Sequence, residues 1–251
     1  MSERVETAPP ALTADELARV QRRTLAVVVL AQVLGGAGLA AGLTVGALLA
    51  AQLLGGEGYA GLPVAVLTVG SALTAYLVGR LTNRFGRRPG LGLGFAAGGA
   101  GAVGVVAAAA LHSAPLLFAA LFVYGAGSAT NLQSRYAGTD LAAPQRRGTA
   151  VSIALVSTTV GAVAGPNLVT PMGRVATALG VPALAGPFLL AAAAYLAAGL
   201  AITVLLRPDP YLLARRSAEA ARSSATGAAE GGWTCAASSP ARPCWSSRRS
   251  R

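Results

Sequence analysis

Long uncharged stretches dominate the pattern of polar and apolar positions along the chain. Five tracts of 22 to 46 residues contain no Asp, Glu, Lys or Arg, and together they cover 159 of the 251 residues. These tracts are 24–56, 58–79, 89–134, 148–173 and 175–206. Because a transmembrane helix needs about 20 mainly apolar residues, each tract is long enough to cross a bilayer. The pattern therefore predicts an all-α integral membrane protein.

The longest tract is expected to contain two helices, because His112-Ser-Ala-Pro115 interrupts it and a proline suits the first turn of a new helix. Splitting the first tract at Gly35-Gly36 would leave two pieces too short for a bilayer, so we expect one long, tilted helix there. The predicted spans are 24–54, 60–79, 89–111, 116–134, 149–172 and 182–206. A segment over 1–23 precedes them and a tail over 207–251 follows.

Arginines are concentrated in alternate connections between the predicted spans. Fourteen lie before span 1, between spans 2 and 3, between spans 4 and 5, or just after span 6, whereas the other three connections contain only Arg174. Positively charged loops stay in the cytoplasm, so both termini are predicted to be cytoplasmic. The abundance of Ala, Gly and Arg without any lysine is typical of a GC-rich bacterium. We therefore expect a multi-pass protein of the bacterial cytoplasmic (inner) membrane.

Composition argues against several other classes of protein. Only 12% of the residues are charged, against about 25% in soluble domains. The net charge of +11 is divided among short gaps between apolar tracts, so we predict no nucleic-acid partner. The chain has no phosphate-binding loop of the form GxxxxGK[ST], and its two cysteines are nine residues apart with no nearby histidine. We therefore expect no enzymatic activity, no cofactor and no metal site.

The connection between spans 2 and 3 reads Gly79-Arg-Leu-Thr-Asn-Arg-Phe-Gly-Arg-Arg88. It resembles the signature loop G-x-L-x-D-R-[FW]-G-R-[RK] of the major facilitator superfamily, which occupies the same place between helices. The signature positions are Gly79, Leu81, Asn83, Arg84, Gly86, Arg87 and Arg88. Asn83 stands where the family has an acid. The resemblance implies six helices forming one half of that fold, a 3+3 inverted repeat, with Gly79 and Gly86 allowing close helix approach.

A second motif lies in span 5, where Gly161, Gly165 and Pro166 resemble the G-x-x-x-G-P motif of exporters in the same superfamily. Two glycines four residues apart allow a neighbouring backbone to approach closely, and the proline is expected to kink the helix. General close packing explains the same pattern, because glycine is common throughout this chain. Both interpretations stay open.

Polar residues inside the spans are the remaining candidates for substrate contact. The resemblance implies that the first and fourth helices line a central cavity; their polar residues include Gln32, Thr44, Tyr124, Asn131 and Gln133. Each could equally form a hydrogen bond to a neighbouring helix. The resemblance also implies an inner-face ion pair between Arg87 and Asp140. Because no span contains Asp or Glu, the sequence offers no intramembrane proton carrier.

The resemblance implies a secondary transporter, or half of one, that exports a small, partly apolar compound by alternating access. Its expected partners are the lipid bilayer, a small-molecule substrate, and a second copy or a C-terminal half. Residues 214–251 contain seven Arg, eight Ser and no Leu, Ile, Val, Phe or Met, which indicates a disordered cytoplasmic tail from a prematurely ended or out-of-frame reading. The alternative is a non-transporting fragment or a six-span regulatory or scaffold protein.

Overall fold

The computed structural model describes residues 14–55, 61–219 and 222, and the predicted tail falls largely outside these ranges. Its α-helices are α1 (Ala14–Leu54), α2 (Leu62–Phe85), α3 (Arg87–Ala110), α4 (Ala114–Ala137), α5 (Arg147–Asn167), α6 (Val169–Ala178) and α7 (Gly186–Leu205). Short 3-10 helices cover Pro144–Arg146 and Ala183–Ala185, and residues 210–219 are helical. Residues up to Leu213 form one compact unit, and the remainder belongs to a second unit.

Six of the seven helices α1 to α7, all except the short α6, are long and apolar enough to cross a membrane. The prediction of an all-α protein with six spans is therefore confirmed. With 41 residues, α1 is about 60 Å long, roughly twice the thickness of the hydrocarbon core. Its arginine-bearing first turns therefore extend beyond the apolar layer.

The two glycines in the middle of α1 are packing positions, and the helix runs unbroken through them. A Cβ on Gly36 would lie 3.2 Å from the backbone nitrogen of Ala162 in α5, and a Cβ on Gly35 would lie 3.1 Å from Cγ of Asn131 in α4. Since these separations are below ordinary contact distances, only glycine fits there without a shift of the neighbours. The glycine pair lets three helices approach one another without bending α1.

The predicted fifth span is wrong at its far end. We expected one helix over 149–172, but α5 ends at Asn167 and the separate helix α6 begins at Val169. Pro166 has no N–H, and the Leu168 N–H bonds back to the carbonyl groups of Ala164 and Gly165 in a tight turn. The proline therefore lies at the end of the helix, where we had expected a kink within it.

The packing repeats between the first three and the last three membrane helices. The pairs α1–α5 and α4–α2 both pack extensively, and so do α1–α7 and α4–α3. If α1, α2 and α3 are matched in order to α4, α5 and α7, the α1–α5 pair corresponds to α4–α2. The α1–α7 pair corresponds in the same way to α4–α3. The helix contacts thus have the symmetry of a 3+3 repeat, with α3 packed on α7 at its centre.

The core of this unit contains four aromatic rings among buried Ala, Val and Leu side chains, and its helices come close together at glycines. The Tyr195 ring lies 5.5 Å from the Tyr124 ring and 5.9 Å from the Phe95 ring, measured between centroids. A Cβ on Gly98 would lie within 2.5 Å of the Gly127 backbone, so α3 and α4 approach almost backbone to backbone. Large apolar side chains on α2 and α5 remain exposed instead, as expected for surfaces that face lipid or another membrane helix.

Candidate functional site at the arginine-rich end

The signature segment forms a sharp corner between two helices. Its first part continues α2 to Phe85, and α3 begins at Arg87, so that Gly86 alone joins the helices. Gly86 has a φ of +99°, in the region that favours glycine, and a Cβ there would lie 2.8 Å from Cγ of Asp209. The corner therefore requires glycine at this position for both backbone and space. We call the end of the bundle that contains this corner the arginine-rich end.

The other signature glycine has no comparable packing role. A Cβ on Gly79 would meet no described atom within 4 Å, so the expected close helix approach at this position is wrong. Nearby, the Arg84 guanidinium lies 5.1 Å from the centre of the adjacent Phe85 ring. Leu81 is half-buried on α2. The part of the motif before the corner thus contributes less to packing than Gly86 and the residues after it.

Asp209 is a central acceptor at the arginine-rich end, and it was not among the residues singled out from the sequence. One carboxylate oxygen accepts the Arg88 N–H at 2.8 Å, in the first turn of α3. The other accepts the N–H groups of Tyr211 at 3.0 Å and Leu212 at 3.4 Å, in the first turn of the helix over 210–219. One side chain therefore caps two helices. The dipeptide Asp209-Pro210 was an available signal, because an N-cap acid followed by proline is typical of a helix start.

Arg87 and Asp140 form a two-pronged ion pair between the corner and the α4–α5 connection. Arg87 Nε lies 2.9 Å from Asp140 Oδ2, and Nη2 lies 3.3 Å from Oδ1. The side chains are 16% and 13% exposed. Burial raises the pKa of Asp140 above its ordinary value of 3.8; the neighbouring guanidinium of Arg87 lowers it, and the Asp209 carboxylate raises it. The pair is thus shielded from water, and its acid holds a proton more readily than an exposed aspartate.

Three further contacts connect the corner to the end of α7 and to the segment after it. Arg88 Nε donates a hydrogen bond to the Thr203 carbonyl at 2.5 Å. The Tyr211 hydroxyl and Asn83 Oδ1 are 3.2 Å apart, and the Arg87 guanidinium lies 5.8 Å from the centre of the Tyr211 ring. Asn83, at the position of the family's acid, is therefore a hydrogen-bond acceptor for the segment after α7. The α2–α3 corner, the α4–α5 connection and the end of α7 are tied into one network.

Most of the candidate cavity residues lie inside the bundle. Gln32, Tyr124 and Asn131 have no exposed surface. The Gln32 amide donates to the Asn131 carbonyl at 3.2 Å and accepts from the Thr158 hydroxyl at 2.8 Å, and the Tyr124 hydroxyl donates to the Gly38 carbonyl. These bonds connect α1 to α4 and α5. Gln32 and Tyr124 thus bond to neighbouring helices through their side chains, whereas Asn131 takes part only through its backbone carbonyl; a role of the three residues in a cavity wall stays a prediction.

The structure describes the side chain of one of the other two candidates, Gln133, but not that of Thr44. Gln133 is half-buried and donates to the Ala75 carbonyl of α2 at 2.7 Å, which is again a bond between helices. The side chain of Thr44 lies outside the described side chains. The side-chain amide of Asn131 makes no hydrogen bond to a described group, although it is fully buried. Sequence reasoning could not separate such interior positions from a cavity wall, because both are polar residues in an apolar helix.

The span 5 motif lies where α5 crosses α1. A Cβ on Gly161 would lie 2.9 Å from the Ala37 nitrogen, and a Cβ on Gly165 would lie 2.8 Å from the Ala40 Cβ. Both glycines therefore allow close approach to α1, which agrees with the packing interpretation of the pattern. The exposed Pro166 is near the end of α5. Among the described residues, no group of three or more His, Cys, Asp or Glu side chains could hold a metal ion.

The sequence profile of the Major Facilitator Superfamily matches residues 25–250. The chain belongs to the Major Facilitator Superfamily. Proteins of this family are transporters and not enzymes, and the chain is a multi-pass membrane protein.

The relatives match along less than half of their own length. The chain is 61% identical over 194 residues to the uncharacterized MFS-type transporter YdeG of Bacillus subtilis, which covers 77% of this chain and 45% of that protein. It is 54% identical over 202 residues to YddS, another uncharacterized MFS-type transporter of the same organism, covering 80% and 46%. The riboflavin transporter RfnT of Brucella anthropi is 33% identical over 154 residues, covering 61% and 38%. No solved structure matches significantly.

Proposed function

We propose that the chain forms one six-helix half of a secondary transporter in the bacterial cytoplasmic membrane, and that it exports a small, partly apolar compound by alternating access. The observation that carries the proposal is the network around Arg87, Asp140 and Asp209, in a chain of a transporter family. Alternating access needs each half to move as a rigid body against the other. Contacts that connect the ends of α2, α3, α4 and α7 supply that rigidity.

A second bundle supplies the other wall of the pathway. Three of the exposed apolar residues on α5, Val156, Val160 and Val163, form a stripe, with 56–61% of each residue accessible. On α2, Val69, Leu73 and Leu77 are exposed in the same way. A second copy of the chain or a C-terminal half covers part of these faces in the working transporter. The length that the chain shares with YdeG and YddS, 45% and 46% of theirs, supports a need for further helices.

We expect a partly apolar substrate because several interior polar groups bond to one another, although the side-chain amide of Asn131 has no hydrogen bond to a described group. Gln32 and Thr158 are both engaged between helices, so few hydrogen-bonding groups of the described helices remain for a highly polar solute. The similarity to a protein named as a riboflavin transporter favours a planar aromatic compound as the first to assay. No carboxylate lies within the apolar part of a described span, so coupling through such a group would depend on the second bundle.

Transport by purified protein of defined oligomeric state tests this proposal. The purified chain is crosslinked, and the crosslinked species are sorted by size. Each species is then reconstituted in liposomes and assayed for efflux of riboflavin and of an apolar cationic dye. We expect efflux by assemblies that contain two bundles and none by single chains. Efflux by a species shown to be monomeric would refute the half-transporter proposal. Absence of efflux for every species and compound would favour the alternative, a regulatory or scaffold protein.

A further inference from the structure

An open groove lies between α1 and the start of α5, at the arginine-rich end, and it shares no lining residue with the Asp209 network. Its volume is about 550 Å³. Two-thirds of the residues that line it are apolar, among them Leu17, Leu25, Ala150 and Ile153. Its polar lining includes Arg22 and Arg146. The groove thus combines an apolar floor with a cationic rim.

The two arginines on the rim are available to a ligand. Both are exposed, and neither guanidinium forms a hydrogen bond or ion pair with another described residue. They line the same groove from different elements, Arg22 from α1 and Arg146 from the 3-10 helix before α5. The positive end of the α5 dipole lies beside them and adds to the attraction for an anion. Two guanidinium groups held this way suit a phosphate group.

The position of the groove relative to the apolar tracts favours a lipid over a soluble anion. One residue separates Arg22 from the uncharged tract 24–56, and one residue separates Arg146 from the uncharged tract 148–173. Both arginines therefore lie where a helix enters the apolar layer. The floor continues past Ile153 into the exposed apolar stripe of α5 described above. A soluble phosphate would leave this apolar floor exposed to water, whereas an acyl chain would cover it.

We infer that this groove binds an anionic phospholipid, with its phosphate between Arg22 and Arg146 and an acyl chain along the floor toward Ile153. The side chain of Gln21 also lines the groove, but it donates to the Gly138 carbonyl at 2.8 Å and its amide oxygen is buried, so the two arginines carry the recognition. They favour phosphatidylglycerol, which has a net negative charge, over a lipid with a quaternary ammonium headgroup, which places a positive charge beside them.

Lipid retention by the purified 251-residue chain tests this inference. The protein is reconstituted in vesicles with equal amounts of phosphatidylcholine and phosphatidylglycerol, re-extracted in mild detergent, and analysed for bound lipid by mass spectrometry. We expect selective retention of phosphatidylglycerol, reduced about tenfold in the double variant Arg22→Gln/Arg146→Gln, because a hydrogen bond to a charged group contributes that much to affinity. The matched control is Arg19→Gln/Arg23→Gln, which removes the same charge from exposed arginines on α1 that do not line the groove.

Two further experiments distinguish binding in the groove from attraction to surface charge, and binding of a lipid from binding of a free anion. The variant Ala18→Phe places a ring in the groove at an exposed position and keeps all arginines, so retention should fall there too. Glycerol phosphate without acyl chains should not displace the lipid. Any one of four results would overturn the inference. Two concern the proteins already described: equal loss of lipid in the two arginine variants, or no selectivity in the unmodified protein. The other two are full retention of lipid by Ala18→Phe and efficient displacement of the lipid by glycerol phosphate. Unchanged thermal unfolding of each variant shows that it is folded.

Discussion

The arginine-rich end and the interior of the bundle are held together by different kinds of contact. At the arginine-rich end, charged side chains connect helix ends, as in the Arg87–Asp140 pair and the Asp209 cap. In the interior, glycines such as Gly98 and Gly127 let helices approach until almost no side chain separates them. Charged groups are costly in the apolar layer, whereas close backbone packing costs no desolvation of charge. We therefore expect substitutions in the interior to destabilise the protein by steric conflict, and substitutions at the arginine-rich end to destabilise it by loss of hydrogen bonds.

The largest effect is expected from adding volume between α3 and α4. A Cβ on Gly98 would lie within 2.5 Å of the Gly127 backbone, which cannot move without shifting a whole helix. We expect Gly98→Leu to destabilise the bundle by about 3 kcal/mol or more. Denaturant unfolding in detergent measures the change. The control is Gly79→Leu, whose Cβ meets no described atom within 4 Å; equal destabilisation by both variants would contradict the comparison.

The next effect concerns the acid that caps two helices. Asp209→Ala removes acceptors from the first turns of α3 and of the helix over 210–219. Because loss of one N-cap costs about 1 kcal/mol, we expect a loss of about 2 kcal/mol in the free energy of unfolding. Asp209→Asn keeps one acceptor oxygen and should lose less. A change for Asp209→Ala no larger than that for Glu219→Ala, which removes an exposed acid, would show that the cap contributes little.

The ion pair can be measured separately from its surroundings with a double-mutant cycle. We expect a coupling of about 1.5 kcal/mol between Arg87→Ala and Asp140→Ala, because the pair is two-pronged and largely shielded from water. The comparison pair is Arg215 and Glu219, whose side chains are each 57% exposed and whose coupling should be about 0.5 kcal/mol or less. Arg87→Lys should not restore the coupling fully, since an ammonium cannot bind both oxygens in the same way. Equal coupling in the two pairs would contradict the role of burial.

The smallest effect is the pH dependence of the same acid. Because burial raises the pKa of Asp140 above its ordinary value of 3.8, the folded chain takes up this proton at a higher pH than the unfolded chain does. The stability of the unmodified protein relative to Asp140→Asn should therefore increase as the pH falls from about 7 to about 4, and decrease again as the pH rises through the folded-state pKa. Unfolding of both proteins across this range measures the difference. A difference that falls on acidification would show that Arg87, and not burial, dominates the pKa of Asp140.

The number and approximate positions of the spans could be predicted from the sequence because they depend on uncharged length and, in the longest tract, on the break before Pro115. The break between Asn167 and Val169 was missed, since uncharged residues continue on both sides of Pro166. Helix faces were harder still. Gly79 and Gly98 look alike in the sequence, but only Gly98 contacts a neighbouring backbone. In helices that are apolar on every side, periodicity does not indicate which face is buried.

The candidate site was predictable only in part, for a related reason. Arg87 and Asp140 were paired through the family resemblance, and the structure places them in contact. Asp209 was overlooked because it lies 121 residues from Arg88, and its local signal, an acid before a proline, indicates a helix start without naming a partner. The partners of Gln32 lie 99 and 126 residues away. Long-range hydrogen bonds of this kind become visible only when the helices are assembled.

The most direct test of the account is the side of the membrane on which the arginine-rich end lies. Reporter fusions or cysteine labelling at Phe85 and Gln145, in the two arginine-bearing connections, and at Ser113, in the connection between α3 and α4, measure this in intact cells. The account predicts that positions 85 and 145 are cytoplasmic and position 113 is external. Finding position 85 outside, or 85 and 113 on the same side, would contradict both the six-span topology and the proposed half-transporter.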